Sequence, residues 1–136
     1  MKRLEVVAAI LIYNNEILCA QRGTSKFEYV NFKYEFPGGK IEIGETKENA
    51  LIRELWEELH LEITNPIFFM TNKHQYPDFE ITMHSFKCQV DSKELVLTEH
   101  INAKWLPPEN LGELNWAEAD LPIVNALQNK ILYPNC

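Results

Sequence analysis

Three glutamates crowd the end of the stretch "TKENALIRELWEELHLEI": Glu54, Glu57 and Glu58. The stretch reads as a helix over residues 47–59, with Thr46 as its N-cap and Glu48 in the first turn, where the helix dipole favours an acid. At ~100° per residue, Glu57 and Glu58 fall on either side of Glu54, and residues three and four apart approach to roughly 5–6 Å between Cβ atoms. Two full charges ~6 Å apart repel by roughly 3 kcal/mol at an effective dielectric of ~20. Glu57 and Glu58 also lie in the last turn, where the dipole disfavours anions. A solvated helix face usually interleaves lysine or arginine with its acids. Here only Arg53 can help, reaching Glu57 one turn on. A missing cation explains the cluster better than a solvated face does, and oxygen ligands alone select Mg²⁺, Mn²⁺ or Ca²⁺ over zinc.

The elements that must position these carboxylates are legible around them. Residues 4–13 (LEVVAAILIY) are β-rich, Asn14-Asn15 is a turn signal, and 16–22 reads as the returning strand of a hairpin. "GTSKFEYVN" looks like a loop with aromatic content, followed by a short strand at 33–36 and an irregular loop "PGGKIEIGE". On the helix, Leu51, Ile52, Leu55, Trp56 and Leu59 share one arc, which is the side expected to be buried, with the acids beside it. "NPIFFMTNKHQY", "FEITMHSFKCQV" and "INAKWL" read as further strands, "PPENL" as a turn or short helix, and 118–132 as an amphipathic helix. Two helices among a majority of strands imply an α/β protein of the α+β type: a mixed sheet with helices packed on its faces.

Composition bounds the function. The chain has 136 residues, enough for one domain with a proper core, and a formal net charge of −7. Such a chain is a poor non-specific partner for nucleic acid polymers or anionic membranes. It can still hold an anionic small molecule if a divalent cation sits between the two. Cys19, Cys88 and Cys136 are far apart and form no C-x-x-C pair, which argues against a disulfide framework or zinc cluster and fits a reducing cytoplasm. The apolar run "VVAAILIY" follows Glu5 and is not succeeded by a small-residue cleavage site, so it reads as a first strand rather than a signal peptide.

From Gly39 the chain reads G-x5-E-x7-R-E-L-x-E-E-x-H-L, with Glu45, Arg53, Glu54, Leu55, Glu57, Glu58 and Leu61 in place. This resembles the signature box of the Nudix hydrolases. The similarity extends from "RLEVVAAILIYNNEILCAQR" through "EFPGGK" to "YPDF" and the final helix, and it is to the MutT-like branch, which acts on nucleoside triphosphates. The box departs at His60, where the family usually has a glycine as a left-handed C-cap; histidine tolerates that conformation at some cost.

The resemblance implies hydrolysis of a nucleoside triphosphate to a monophosphate and pyrophosphate, with Mg²⁺ or Mn²⁺ bridging carboxylates and phosphate oxygens, polarising phosphorus and acidifying a bound water. It makes Glu57, Glu58 and the backbone carbonyl of Gly38 metal ligands. Glu54 ligates metal or deprotonates the water, and Glu99 completes the metal site or is itself the base; the sequence leaves both open. Arg53 is expected to bridge Glu45 and a catalytic carboxylate. Arg22 and Lys40 are the candidates for the phosphates. Phe79 and Asp120 match base-contacting positions, Asp120 standing where the branch that hydrolyses oxidised purines uses asparagine. Ionised aspartate only accepts hydrogen bonds, whereas a buried, protonated one also donates. "YPDF" with "ADLPIV" leaves cytidine-type nucleotides and oxidised purines both in play. Two other readings are weaker. A metabolite sensor of the same fold need not keep Glu54, Glu57 and Glu58 together, and a structural calcium domain gives no reason for Arg22 and Lys40.

Overall fold

A computed structural model describes residues 1–132, with side chains to residue 129. Cys136 lies outside the described residues. Strand β1 (Lys2–Tyr13) is the spine of the molecule. Its run Val6–Leu11 is apolar at every position because both faces are covered. Val7, Ala9 and Leu11 point to the side of helix α1 (Lys47–Leu59), and Val6, Ala8 and Ile10 to the side of helix α2 (Leu121–Leu132).

β1 turns through Asn14 and Asn15, both at positive φ, into β2 (Glu16–Gln21). Two consecutive left-handed residues give the turn whose twist suits a tight hairpin, which is what the Asn-Asn pair signals in the sequence. β2 then carries β3 (Tyr34–Glu35) on one edge and β7 (Asn102–Leu106) on the other. On its other long edge β1 runs parallel to β6 (Phe79–Gln89), paired from Lys2 with Phe79 to Ile12 with Gln89. β5 (Ile67–Gln75) closes that side antiparallel to β6. The result is a mixed sheet between two helices, as expected.

The structure corrects three expectations. Gly38–Lys40, within the loop expected to be irregular, forms strand β4, antiparallel to Val6–Ala8 of β1. β2 engages only the far end of β1, so the edge at Val6–Ala8 is unpaired until β4 takes it. Helix α2 begins at Leu121, with Glu118–Asp120 forming a separate 3-10 turn. The buried side of α1 consists of Ala50, Leu51, Leu55, Glu58 and Leu59, whereas Ile52 and Trp56 are exposed. Trp56 instead stacks on His60, ring centroids 5.4 Å apart.

The helix ends as its sequence implies. Thr46 Oγ1 accepts the Asn49 N–H at 3.1 Å. His60 sits at φ 52° and ψ 40°, in the left-handed cap, and its N–H reaches Trp56 O at 3.0 Å. Because Thr46 caps the helix that carries the acids, Thr46→Ala is expected to lower unfolding stability by about 1 kcal/mol in urea titrations. Among the described residues no helix is long and apolar enough to cross a membrane.

Candidate active site

The last turns of α1 lie against β4, and two glycines let them do so. A Cβ on Gly38 would stand 1.9 Å from Val7 O, and one on Gly39 would stand 2.4 Å from the Glu54 carboxylate. Glycine is therefore the residue that allows the chain to pass between β1 and the acids. The Gly38 N–H donates to Glu58 Oε1 at 3.1 Å, which brings this peptide alongside the Glu58 carboxyl.

Glu58 is the unexpected member of the trio. It is 5% exposed, within the buried side of the helix rather than beside it. Burial, a hydrogen bond with Glu99 and the nearby charges of Glu35, Glu99 and Glu54 push its carboxyl up to about 9. Glu54 is raised too, by burial, although its bond to Arg53 works the other way. Glu57 points outward, with 56% of its side chain exposed, and meets Arg53 at 3.3 Å.

Arg53 joins these acids to the loop before the helix. Nε and Nη2 form a fork on Glu45 at 2.7 and 2.8 Å, Nη1 reaches Glu54 at 2.9 Å, and Nη2 also donates to Lys40 O at 3.0 Å. The fork holds the Glu45 carboxyl down at about 2. The bridge from Glu45 to a carboxylate of the cluster is thus present.

Glu58, Glu54 and Glu99 line a cleft of about 560 Å³ together with Gly38, Gly39, Lys40, Arg22 and Asp120. Glu99 is delivered by a segment stapled to the end of α1: Thr98 N–H and Oγ1 both bond to Glu58 O, at 3.2 and 2.8 Å. Arg22 lies just past β2 and pairs with Glu35 at 3.1 Å. Lys40 is exposed at the cleft rim. Glu35 and His100, which line the same cleft, were not legible as site residues. The "EF" before the double glycine and the histidine after Glu99 were the available signals, but their partners are distant in sequence.

A second cavity of about 500 Å³ adjoins the first and shares Arg22, Glu35, Lys40 and Asp120 with it. Three aromatic side chains, Phe27, Tyr76 and Phe79, line it. Phe79 packs on Phe27 and Tyr76 at 5.3 and 5.1 Å, Tyr29 stacks on Tyr76 at 5.2 Å, and Tyr29 Oη donates to Asp78 at 2.8 Å. Phe79 is therefore one ring of an aromatic cluster. Asp120 lines this cavity at 2% exposure, with Oδ1 accepting the Phe36 N–H at 3.0 Å. Burial, with the charge of Glu35 adding to it, pushes its carboxyl well above the ordinary aspartate range and favours the protonated form.

The carboxylates of Glu54, Glu58 and Glu99 in one cleft are oxygen donors of the kind a hard divalent cation takes. Glu58 has the most to gain from such an ion. Every charged neighbour raising its pKa is another acid, and a divalent ion among them would reverse that penalty. Among the described residues no three His, Cys, Asp or Glu side chains already stand in a metal-holding group.

These features agree with what the chain resembles as a whole. The CTP pyrophosphohydrolase of Escherichia coli K12 is 34% identical over 126 residues, covering 93% of this chain and 92% of that protein. The 8-oxo-dGTP diphosphatase of the same organism is 31% identical over 129 residues, 94% and 98% of the two chains. The solution structure of the E. coli ORF135 protein superposes with a TM-score of 0.84 at 32% identity, covering 100% of this chain and 96% of that one. The family model of the NUDIX domain matches residues 2–127, and the chain belongs to the Nudix hydrolases, within their MutT-like group.

Proposed function

We propose that the chain hydrolyses nucleoside triphosphates, modified ones above all, to the monophosphate and pyrophosphate, and so serves to clean the nucleotide pool. The observation that carries this reading is the junction of two unlike cavities. An acidic cleft bearing Glu54, Glu58 and Glu99 opens directly onto an aromatic-walled cavity containing Asp120, with Arg22 and Lys40 at the junction. A polyphosphate suits the first if cations accompany it, and a planar base suits the second.

In this reading Glu57, Glu58 and the Gly38 carbonyl hold Mg²⁺ or Mn²⁺, and Glu54 and Glu99 share the remaining ligation and the removal of a proton from water. The bound ion supplies charge neutralisation at the phosphates and a more acidic water. Arg22 and Lys40 bind phosphate oxygens, Arg22 being held by Glu35. Phe79 stacks on the base and Asp120 reads its edge. The partner is a small nucleotide, since a net charge of −7 gives no hold on a nucleic acid polymer or an anionic membrane.

The test is pyrophosphate release from a panel of normal, oxidised and methylated nucleoside triphosphates with Mg²⁺. Release from at least one is expected, and release from none would favour a sensor. The relatives act on CTP and 8-oxo-dGTP by name, and Asp120 is the residue proposed to choose between such bases. Its protonated carboxyl offers one donor, whereas asparagine offers two. Asp120→Asn is expected to change the ratio of kcat/KM between CTP and 8-oxo-dGTP by about tenfold, one mispaired buried hydrogen bond costing ~1–3 kcal/mol, with less effect on overall rate. An unchanged ratio would remove Asp120 from the pocket.

A further inference from the structure

One buried imidazole links the two halves of the cleft. His100 follows Glu99 directly, and only 3% of its side chain is exposed. Nε2 lies 2.9 Å from Glu35 Oε2, while Glu35 Oε1 accepts from Arg22 Nη1 at 3.1 Å. Glu35 is the acceptor of both bonds, so Nε2 of His100 carries the hydrogen. Nδ1 is buried with no protein partner among the described residues. Burying an imidazole unpaired costs free energy, and the bond to Glu35 satisfies one of its two nitrogens.

The backbone on either side is anchored as well. Thr98 is tied to Glu58 O, and Ile101 N–H bonds to Gln21 O at 3.0 Å, one residue before Arg22. Glu99 thus rides on a short bridge between α1 and β2, and the His100 side chain fastens that bridge to Glu35 on β3. Both carboxylates acting with Glu99, and the guanidinium held by Glu35, face the same cleft.

We propose that His100 is a positioning residue for the hydrolysis: its bond to Glu35 keeps Glu99 and Arg22 in register with Glu54 and Glu58. This rests on the pyrophosphohydrolase reading above. His100 does not touch the substrate; it acts through Glu35 and through the chain that carries Glu99.

The test compares His100→Leu, which keeps the volume, with His100→Gln, whose Nε2 can donate from nearly the same place. Leucine is expected to lower kcat/KM by roughly 10–100-fold, the usual effect of losing a residue that orients ligands, and glutamine to restore most of it. In a Glu35→Leu background, which has no acceptor, the leucine substitution at position 100 should add little, because both changes remove the same bond. Equal loss in the leucine and glutamine variants at position 100, or full additivity with Glu35→Leu, would overturn the proposal. The imidazole Nε2–H resonance gives a readout that needs no turnover. It is expected to be protected from exchange and to shift on Glu35→Leu, and an exchanging, unshifted signal would also overturn the proposal. Should wild-type protein release no pyrophosphate, that resonance still tests the hydrogen bond, so failure of the enzyme reading stays distinguishable.

Discussion

Glu58→Gln is expected to lower turnover by roughly 10³-fold, the several kcal/mol that metal-assisted charge stabilisation supplies, at about 1.4 kcal/mol per factor of ten. It should do so without harming the metal-free fold. Burial above all, and then the acids Glu99, Glu35 and Glu54, push the Glu58 carboxyl up to about 9, which favours the protonated form at neutral pH without a cation. Glutamine has the same shape and the same neutrality, and its Oε1 can still accept the Gly38 N–H. The sign of the pH dependence follows. An acid whose folded pKa is raised favours folding below its ordinary range and loses that contribution as pH rises towards the folded value. Metal-free wild type is therefore expected to lose stability between the ordinary carboxylate range and about pH 9. Glu58→Gln should flatten that slope in thermal unfolding with chelator present. Adding Mg²⁺ to wild type should release protons, which calorimetry in two buffers of different ionisation enthalpy would show. A variant with wild-type turnover would remove Glu58 from the proposed ligands.

The same residue marks where sequence stops being informative. The spacing of Glu54, Glu57 and Glu58 locates the acidic cluster, and the Thr46 cap and the left-handed turn at His60 are local enough to read directly. Which acid is buried is not local. A helical wheel places Glu58 beside the apolar arc and Trp56 within it, but the sheet that receives α1 presents Val7, Ala9, Leu11 and Phe86, and this surface is met by Ala50, Leu51, Leu55 and Leu59. Trp56 is left over that edge, stacked on His60, and Glu58 is drawn inward to the Gly38 peptide. Strand β4 escaped the sequence for a related reason. Its residues are two glycines and a lysine, with no period to read, and only the vacant edge of β1 makes them a strand. Glu35 and His100 were illegible because their bond spans distant parts of the chain. By contrast, the Glu45–Arg53 fork joins residues that the signature box itself contains.

That fork supports the second large effect. Arg53→Lys keeps a positive charge but not the geometry, since one ammonium cannot hold both Glu45 oxygens, Glu54 and Lys40 O together. Turnover is expected to fall by roughly 10–100-fold, and further in Arg53→Ala, where Glu54 and Glu57 both lose their cation. Glu54 supplies the diagnostic. Burial raises its pKa and the bond to Arg53 opposes this, so weakening the bond lets the pKa climb. If Glu54 must be ionised to ligate metal or take a proton, the acidic limb of the pH–rate profile should move to higher pH in both variants, and lifting the pH should recover part of the lost rate. Glu45 moves in the same direction, because it too loses its bonds to Arg53. Its carboxyl, held at about 2 by the fork, should return towards the ordinary range in Arg53→Ala, observable by carboxyl-carbon NMR titration. In wild type the stability owed to that fork is complete above the ordinary glutamate range and disappears as pH falls towards 2; in Arg53→Ala this acid-side loss should shrink, only the Glu42 N–H bond remaining to hold the carboxyl down. An unshifted acidic limb combined with a lowered rate would mean that Arg53 acts only by shaping the loop at Lys40 and Glu45, and that Glu54 is not the ionisation on which turnover depends.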